Sequence, residues 1–131
     1  MDPFRDVERR LGHRQQVEPV DVSLVWRSRV TGRFGRVRTE TARIAAVIVE
    51  LSVSGAGVVA PAVDGLGVGS SVRLERVGYG AAAVVRRVVP REDSRLWYGV
   101  HFTTLDSQMR QFLFRLISTG RPGEIDWLDS R

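Results

Sequence analysis

Apolar residues recur with a period of two in short runs along this chain, and that alternation most limits the folds open to it. Val20, Val22, Leu24 and Trp26 alternate with Asp21, Ser23 and Arg27, and Leu96, Tyr98, Val100 and Phe102 form a second such set. Val72 and Leu74 alternate with Arg73 and Glu75. Successive side chains of a strand point to opposite faces, so each run describes a strand with one buried and one wetted face. Further strands are expected over 42–51, 57–60 and 82–89, which are rich in Val, Ile and Ala. Turn signals separate them at Thr31-Gly32, Phe34-Gly35, Ser52 to Gly57, the glycine-containing loop 61–69, Gly78-Tyr79-Gly80 and Pro90 to Ser94. Six short strands at regular spacing predict an all-β fold, a six-stranded antiparallel barrel.

One segment changes period. Leu105, Met109, Phe112, Leu113 and Leu116 recur at three- and four-residue intervals, which predicts an amphipathic C-terminal α-helix over 105–118. Thr104 or Asp106 is placed to cap its start, and Gly120 lies just past its end. The helix is expected to close one mouth of the barrel. Trp26, Trp97 and Tyr98 fall within strand alternation and read mainly as core.

The 131 residues suffice for one domain, and 43% hydrophobic content supports a packed core. Residues 1–17 read as a flexible N-terminal arm, 18–119 as the barrel with its helix, and 120–131 as a polar tail relieved by Ile125, Trp127 and Leu128. No apolar run approaches the roughly 20 residues of a membrane helix. Nothing near Met1 resembles a secretion signal, so a cytoplasmic protein without membrane insertion is expected. The absence of cysteine removes disulfides and thiolate chemistry, and His13 and His101 stand too far apart to suggest a metal site. All 20 basic residues are arginine, and the net charge of +5 invites an anionic partner.

Two short motifs stand out against this background. Arg9-Arg10-Leu11-Gly12-His13-Arg14 gathers three guanidinium groups ahead of the first strand, with Arg10 and Arg14 in R-x-x-x-R spacing. Glu50-Leu51-Ser52-Val53-Ser54-Gly55 ends a strand with a carboxylate, a hydroxyl and a glycine turn. The planar arginine fork makes paired hydrogen bonds to phosphate oxygens or to O6 and N7 of guanine. Gly55 is expected to supply a positive φ and a close approach for a ligand.

Together the motifs resemble the signature of the PilZ family, R-x-x-x-R followed by D/N-x-S-x-x-G. The segment Arg95-Leu-Trp-Tyr-Gly-Val-His-Phe-Thr-Thr-Leu105, with Leu113, Arg115 and Leu116 after it, resembles that family's last strand and helix, so the likeness covers residues 9–119. The resemblance implies a PilZ-type barrel and a bacterial receptor for the second messenger cyclic di-GMP, a binding module and not an enzyme. Carried onto this chain, the ligand would meet Arg9, Arg10, Arg14, Glu50, Ser52 and Gly55. Glu50 would accept from the guanine N1–H and N2–H2 edge, and the arm would order on binding to present a new surface to a downstream protein partner. The domain is expected to act as a monomer or homodimer and to need no cofactor.

Glu50 departs from the family pattern of Asp or Asn. A misplaced hydrogen bond to a charged group costs about 1–3 kcal/mol, a ten- to hundredfold loss of affinity. This feature favours an alternative reading, a PilZ-like adaptor that does not bind nucleotide and works through protein contacts. A nucleic-acid-binding barrel is a third reading, prompted by net charge and by the three aromatics, but their alternation assigns them to the core and no nucleic-acid partner is expected.

Overall fold

The computed structural model describes residues 15–119. Six strands follow in order: β1 (Gln15–Thr31), β2 (Val37–Leu51), β3 (Gly55–Pro61), β4 (Ser71–Arg76), β5 (Tyr79–Pro90) and β6 (Arg95–Leu105), with the helix α1 (Ser107–Thr119) last. They close into a barrel in the order β1-β2-β3-β6-β5-β4, and every pairing is antiparallel. The closing seam runs from Ser23 opposite Glu75 to Trp26 opposite Val72. Residues 15–17, placed by the sequence pattern at the end of the arm, lie within β1.

The period-two residues point inward as expected. Val20, Val22, Leu24 and Trp26 meet Ile48, Val58, Leu74, Val85, Tyr98 and Val100 in one core. Leu24, Ile48, Leu74 and Tyr98 are fully shielded. Burying a side chain of this size contributes about 1.5–3 kcal/mol. Met109, Phe112, Leu113 and Leu116 of α1 enter the same core from one end, so the helix is a lid on that mouth.

The lid is tied to the rim by one carboxylate. Asp106 Oδ1 accepts from the Met109 N–H at 2.9 Å, the N-cap bond that starts the helix, and Oδ2 accepts from Gly80 N–H at 2.7 Å in the β4–β5 hairpin. These two bonds, Met109's first, hold the Asp106 carboxyl below its ordinary value of 3.8.

Four irregularities interrupt the ladders, one of them the extra β6 residue Thr103 against Ala82 and Ala83. Val17, Glu18 and Pro19 lie where β1 loses register with β2, as suits a proline that cannot donate to a ladder. Against β3, β2 carries one extra residue between Ile48 and Glu50. Against β6, β5 carries one between Val85 and Arg87. The last two shape the candidate site.

Candidate functional site

Strict alternation from Ile48, which is buried, would turn Glu50 into the core and Leu51 out to solvent. The extra residue Val49 reverses this: Glu50 stands opposite Gly57 on the outer face, and Leu51 goes inward opposite Ala56. The β5 irregularity does the same on the far side. Val85 is inside, Arg86 is inserted, and Arg87 emerges opposite Gly99. The outer face of β2, β3, β6 and β5 therefore carries one lateral row, Glu50, Gly57, Gly99, Arg87. Neighbouring strands are about 4.8 Å apart, so the two charged residues sit roughly 14 Å from each other, too far to pair.

Two glycines between them leave a furrow, and Trp97 fills part of it. A Cβ on Gly57 would meet the Trp97 indole, 2.6 Å from Nε1 and 2.8 Å from Cζ2, so the ring leans across β3 where only glycine leaves room. Glu50, Arg87, Val89, Arg91 and Trp97 line a shallow groove of about 370 Å³. It offers a half-buried aromatic surface, a carboxylate on one side and guanidinium groups on the other. Arg91 leans on Asp93 at 3.6 Å, whereas Glu50 and Arg87 have no ion-pair partner among the described residues. An aromatic plate flanked by an unpaired acceptor and unpaired donors suits a planar, polar-edged ring bearing negative charge.

The motif turn adjoins this groove. Ser52 is 4% exposed, and its hydroxyl lies within the turn: Gly55 N–H donates to Oγ at 3.1 Å, and Oγ lies 3.3 Å from the Gly55 carbonyl. Ser52 N–H donates to that carbonyl at 2.9 Å, and Phe102 N–H donates to the Ser54 carbonyl at 2.8 Å. Ser52 thus braces the bend that ends β2. Gly55 does not have the expected positive φ, which among the described glycines belongs to Gly35, Gly65, Gly69 and Gly78. It is glycine because β3 packs so close to β6 that a Cβ would run into the Val100 carbonyl.

Of the expected site residues, the structure gathers Glu50, Ser52 and Gly55 at one corner of the barrel. Arg9, Arg10 and Arg14 lie outside the described residues. The strand that follows them places Gln15 opposite Leu51 and Gln16 opposite Glu50. Sequence reasoning overlooked Arg87 and Arg91 and assigned Trp97 to the core, whereas it faces outward. The signal was available, since Trp97 has the opposite parity to the inward set Leu96, Tyr98, Val100 and Phe102. His101, also outward, is exposed.

A larger groove, about 560 Å³, lies elsewhere on the barrel between β1, β2 and the β4–β5 hairpin. Three of its four charged side chains are already committed, and the Asp21 carboxylate has no ion-pair partner among the described residues. Arg43 Nη2 reaches Glu75 at 2.9 Å and Arg73 Nε reaches it at 3.4 Å. Arg76 donates to the Tyr79 hydroxyl and to the Asp21 carbonyl, each at 3.0 Å, and lies 4.3 Å over the Phe112 ring. Among the described residues no cluster of three His, Asp or Glu side chains could hold a metal, and no helix is long and apolar enough to cross a membrane.

No curated protein and no solved structure matches the chain. A family model does, and it is that of the PilZ domain: it spans residues 8–119, from just ahead of the arginine motif through every described strand and the helix. The chain belongs to the PilZ domain family.

Proposed function

We propose that this chain is a bacterial, cytoplasmic receptor for cyclic di-GMP that signals by ordering its arginine-bearing arm. The observation that carries the reading is the bulge-built row of Glu50, Gly57, Gly99 and Arg87 with the Trp97 indole leaning across it, next to the point where the arm enters β1. In this reading a guanine stacks on Trp97, Glu50 accepts from its N1–H and N2–H2 edge, and Arg87 meets negative charge on the far side. Arg9, Arg10 and Arg14 close over the phosphates from the arm. Ser52 and Gly55 contribute by keeping the bend that sets Glu50 in place. Repulsion among the three arm guanidiniums disfavours their close approach without ligand, and a dianion relieves it. The ordered arm then offers a surface to a downstream protein, a coupling between ligand and partner.

Titration calorimetry with cyclic di-GMP on the intact chain tests this. Saturable heat with a dissociation constant near micromolar is expected, from three charge-assisted contacts at about 1.5–3 kcal/mol each less the misfit of Glu50. Arg10→Ala with Arg14→Ala should abolish it. A folded chain with no saturable signal at near-millimolar ligand overturns the reading. Glu50 in place of Asp or Asn favours a second one, an adaptor that acts by protein contact alone. Under that reading the double arginine variant leaves partner binding untouched.

A further inference from the structure

The hairpin of β1 and β2 outruns the barrel. β4 pairs with β1 only over Ser23–Trp26, and β3 pairs with β2 only from Val47 onward, so Arg27–Thr31 and Val37–Thr41 pair with each other alone. The five residue pairs make a two-stranded ribbon that projects roughly 17 Å. Residues 27–41 hold five arginines and one glutamate, a net charge of +4 against +5 for the whole chain. On the ribbon's outer side Arg27 stands opposite Thr41 and Arg29 opposite Thr39. Glu40, the ribbon's single carboxylate, is on the other side and paired with Arg38 at 2.8 Å. Arg27, Arg29, Arg33 and Arg36 have no ion-pair partner among the described residues. At the tip Phe34 is 98% exposed and sits at φ 66°, a left-handed backbone that a bulky residue seldom takes.

We infer that this ribbon is a binding arm for duplex nucleic acid, independent of the nucleotide groove. A two-stranded β-ribbon fits the major groove, which is about 8.5 Å deep, and arginine forks pair with phosphates and guanine edges there. An exposed phenylalanine at the end of such an arm offers an aromatic face on which a base can stack. A bilayer fits less well, because the charge runs the length of the ribbon while a single aromatic offers little to insert. The nucleic-acid expectation dismissed from the barrel's aromatics returns here on a different surface.

Fluorescence anisotropy with the full chain and a labelled duplex of about 25 base pairs tests it, at about 50 and about 200 mM salt. Saturable binding at the lower salt and a steep loss at the higher are expected. Replacing Arg27, Arg29, Arg33 and Arg36 with Ala should weaken binding at least about a hundredfold and flatten the salt slope by roughly three to four. Phe34→Ser should weaken it about tenfold and leave the slope unchanged, while Arg73→Ala with Arg110→Ala should change affinity less than about twofold. All five ribbon positions are exposed, and far-UV circular dichroism verifies folding. No saturable binding at low salt, an unchanged affinity in the quadruple variant, or capture by phosphatidylglycerol vesicles or polyglutamate without duplex binding overturns the inference.

Discussion

Two grooves of this barrel, the one beside Arg43 and the one beside Trp97, differ less in size than in what their charges are doing. In the larger one, Glu75 is held between Arg43 and Arg73, and Arg76 is occupied by Tyr79, the Asp21 carbonyl and Phe112. In the smaller one, two strand irregularities push Glu50 and Arg87 to opposite sides of a glycine furrow where they do not meet. A surface most of whose ions answer one another offers less to a charged visitor than one where an acid and a base are kept apart for a visitor to bridge. Volume alone would have chosen the larger groove.

The sharpest way to break the comparison is to collapse the corner that only the smaller groove uses. Gly55→Val drives a side chain into the Val100 carbonyl and should destabilise the fold by about 3 kcal/mol in urea titration, taking the motif turn with it. Trp97→Ala should leave the barrel folded and weaken cyclic di-GMP about ten- to a hundredfold by calorimetry, since stacking on an aromatic is worth about 1–3 kcal/mol per base. Glu50→Asp sharpens the contrast in the other direction: restoring the family's shorter carboxylate should tighten binding up to about tenfold. Arg43→Ala in the larger groove should shift ligand affinity less than about twofold and stability by under about 1 kcal/mol, as for other exposed ion pairs. Asp106 touches neither groove, and Asp106→Ala should lower the melting temperature at neutral pH without altering ligand affinity. Because its folded pKa is lowered, its contribution is complete above the ordinary value of 3.8 and lost as pH falls through the lowered one. The gap between parent and variant should therefore close in acid.

The barrel was legible because its core writes itself on the chain. Leu24 and Trp26, or Tyr98 and Val100, alternate with polar residues for as long as one face of the strand is buried. Where no core lies behind a strand the pattern fades, which is why the start of β2, Val37 to Thr41, was missed: all five residues are exposed on the projecting ribbon. The helix boundaries came within two residues, with Asp106 as the cap. The motif turn was legible as residues but not as physics. Gly55 answers to Val100, a neighbour 45 positions away, and no local rule about turns contains that contact. Glu50 and Arg87 reach the surface through inserted residues that reverse parity, so counting by twos assigns each to the wrong side.

Asp106 gives the two ends of the molecule's lid a common fate. The same carboxylate starts the helix at Met109 and fastens the hairpin amide of Gly80, so the helix cannot swing out, nor the hairpin fray, without surrendering part of the other's support. Amide hydrogens at these two positions, 29 residues apart, should exchange with solvent in one shared opening event rather than in two, and removing one side-chain oxygen pair should release both together.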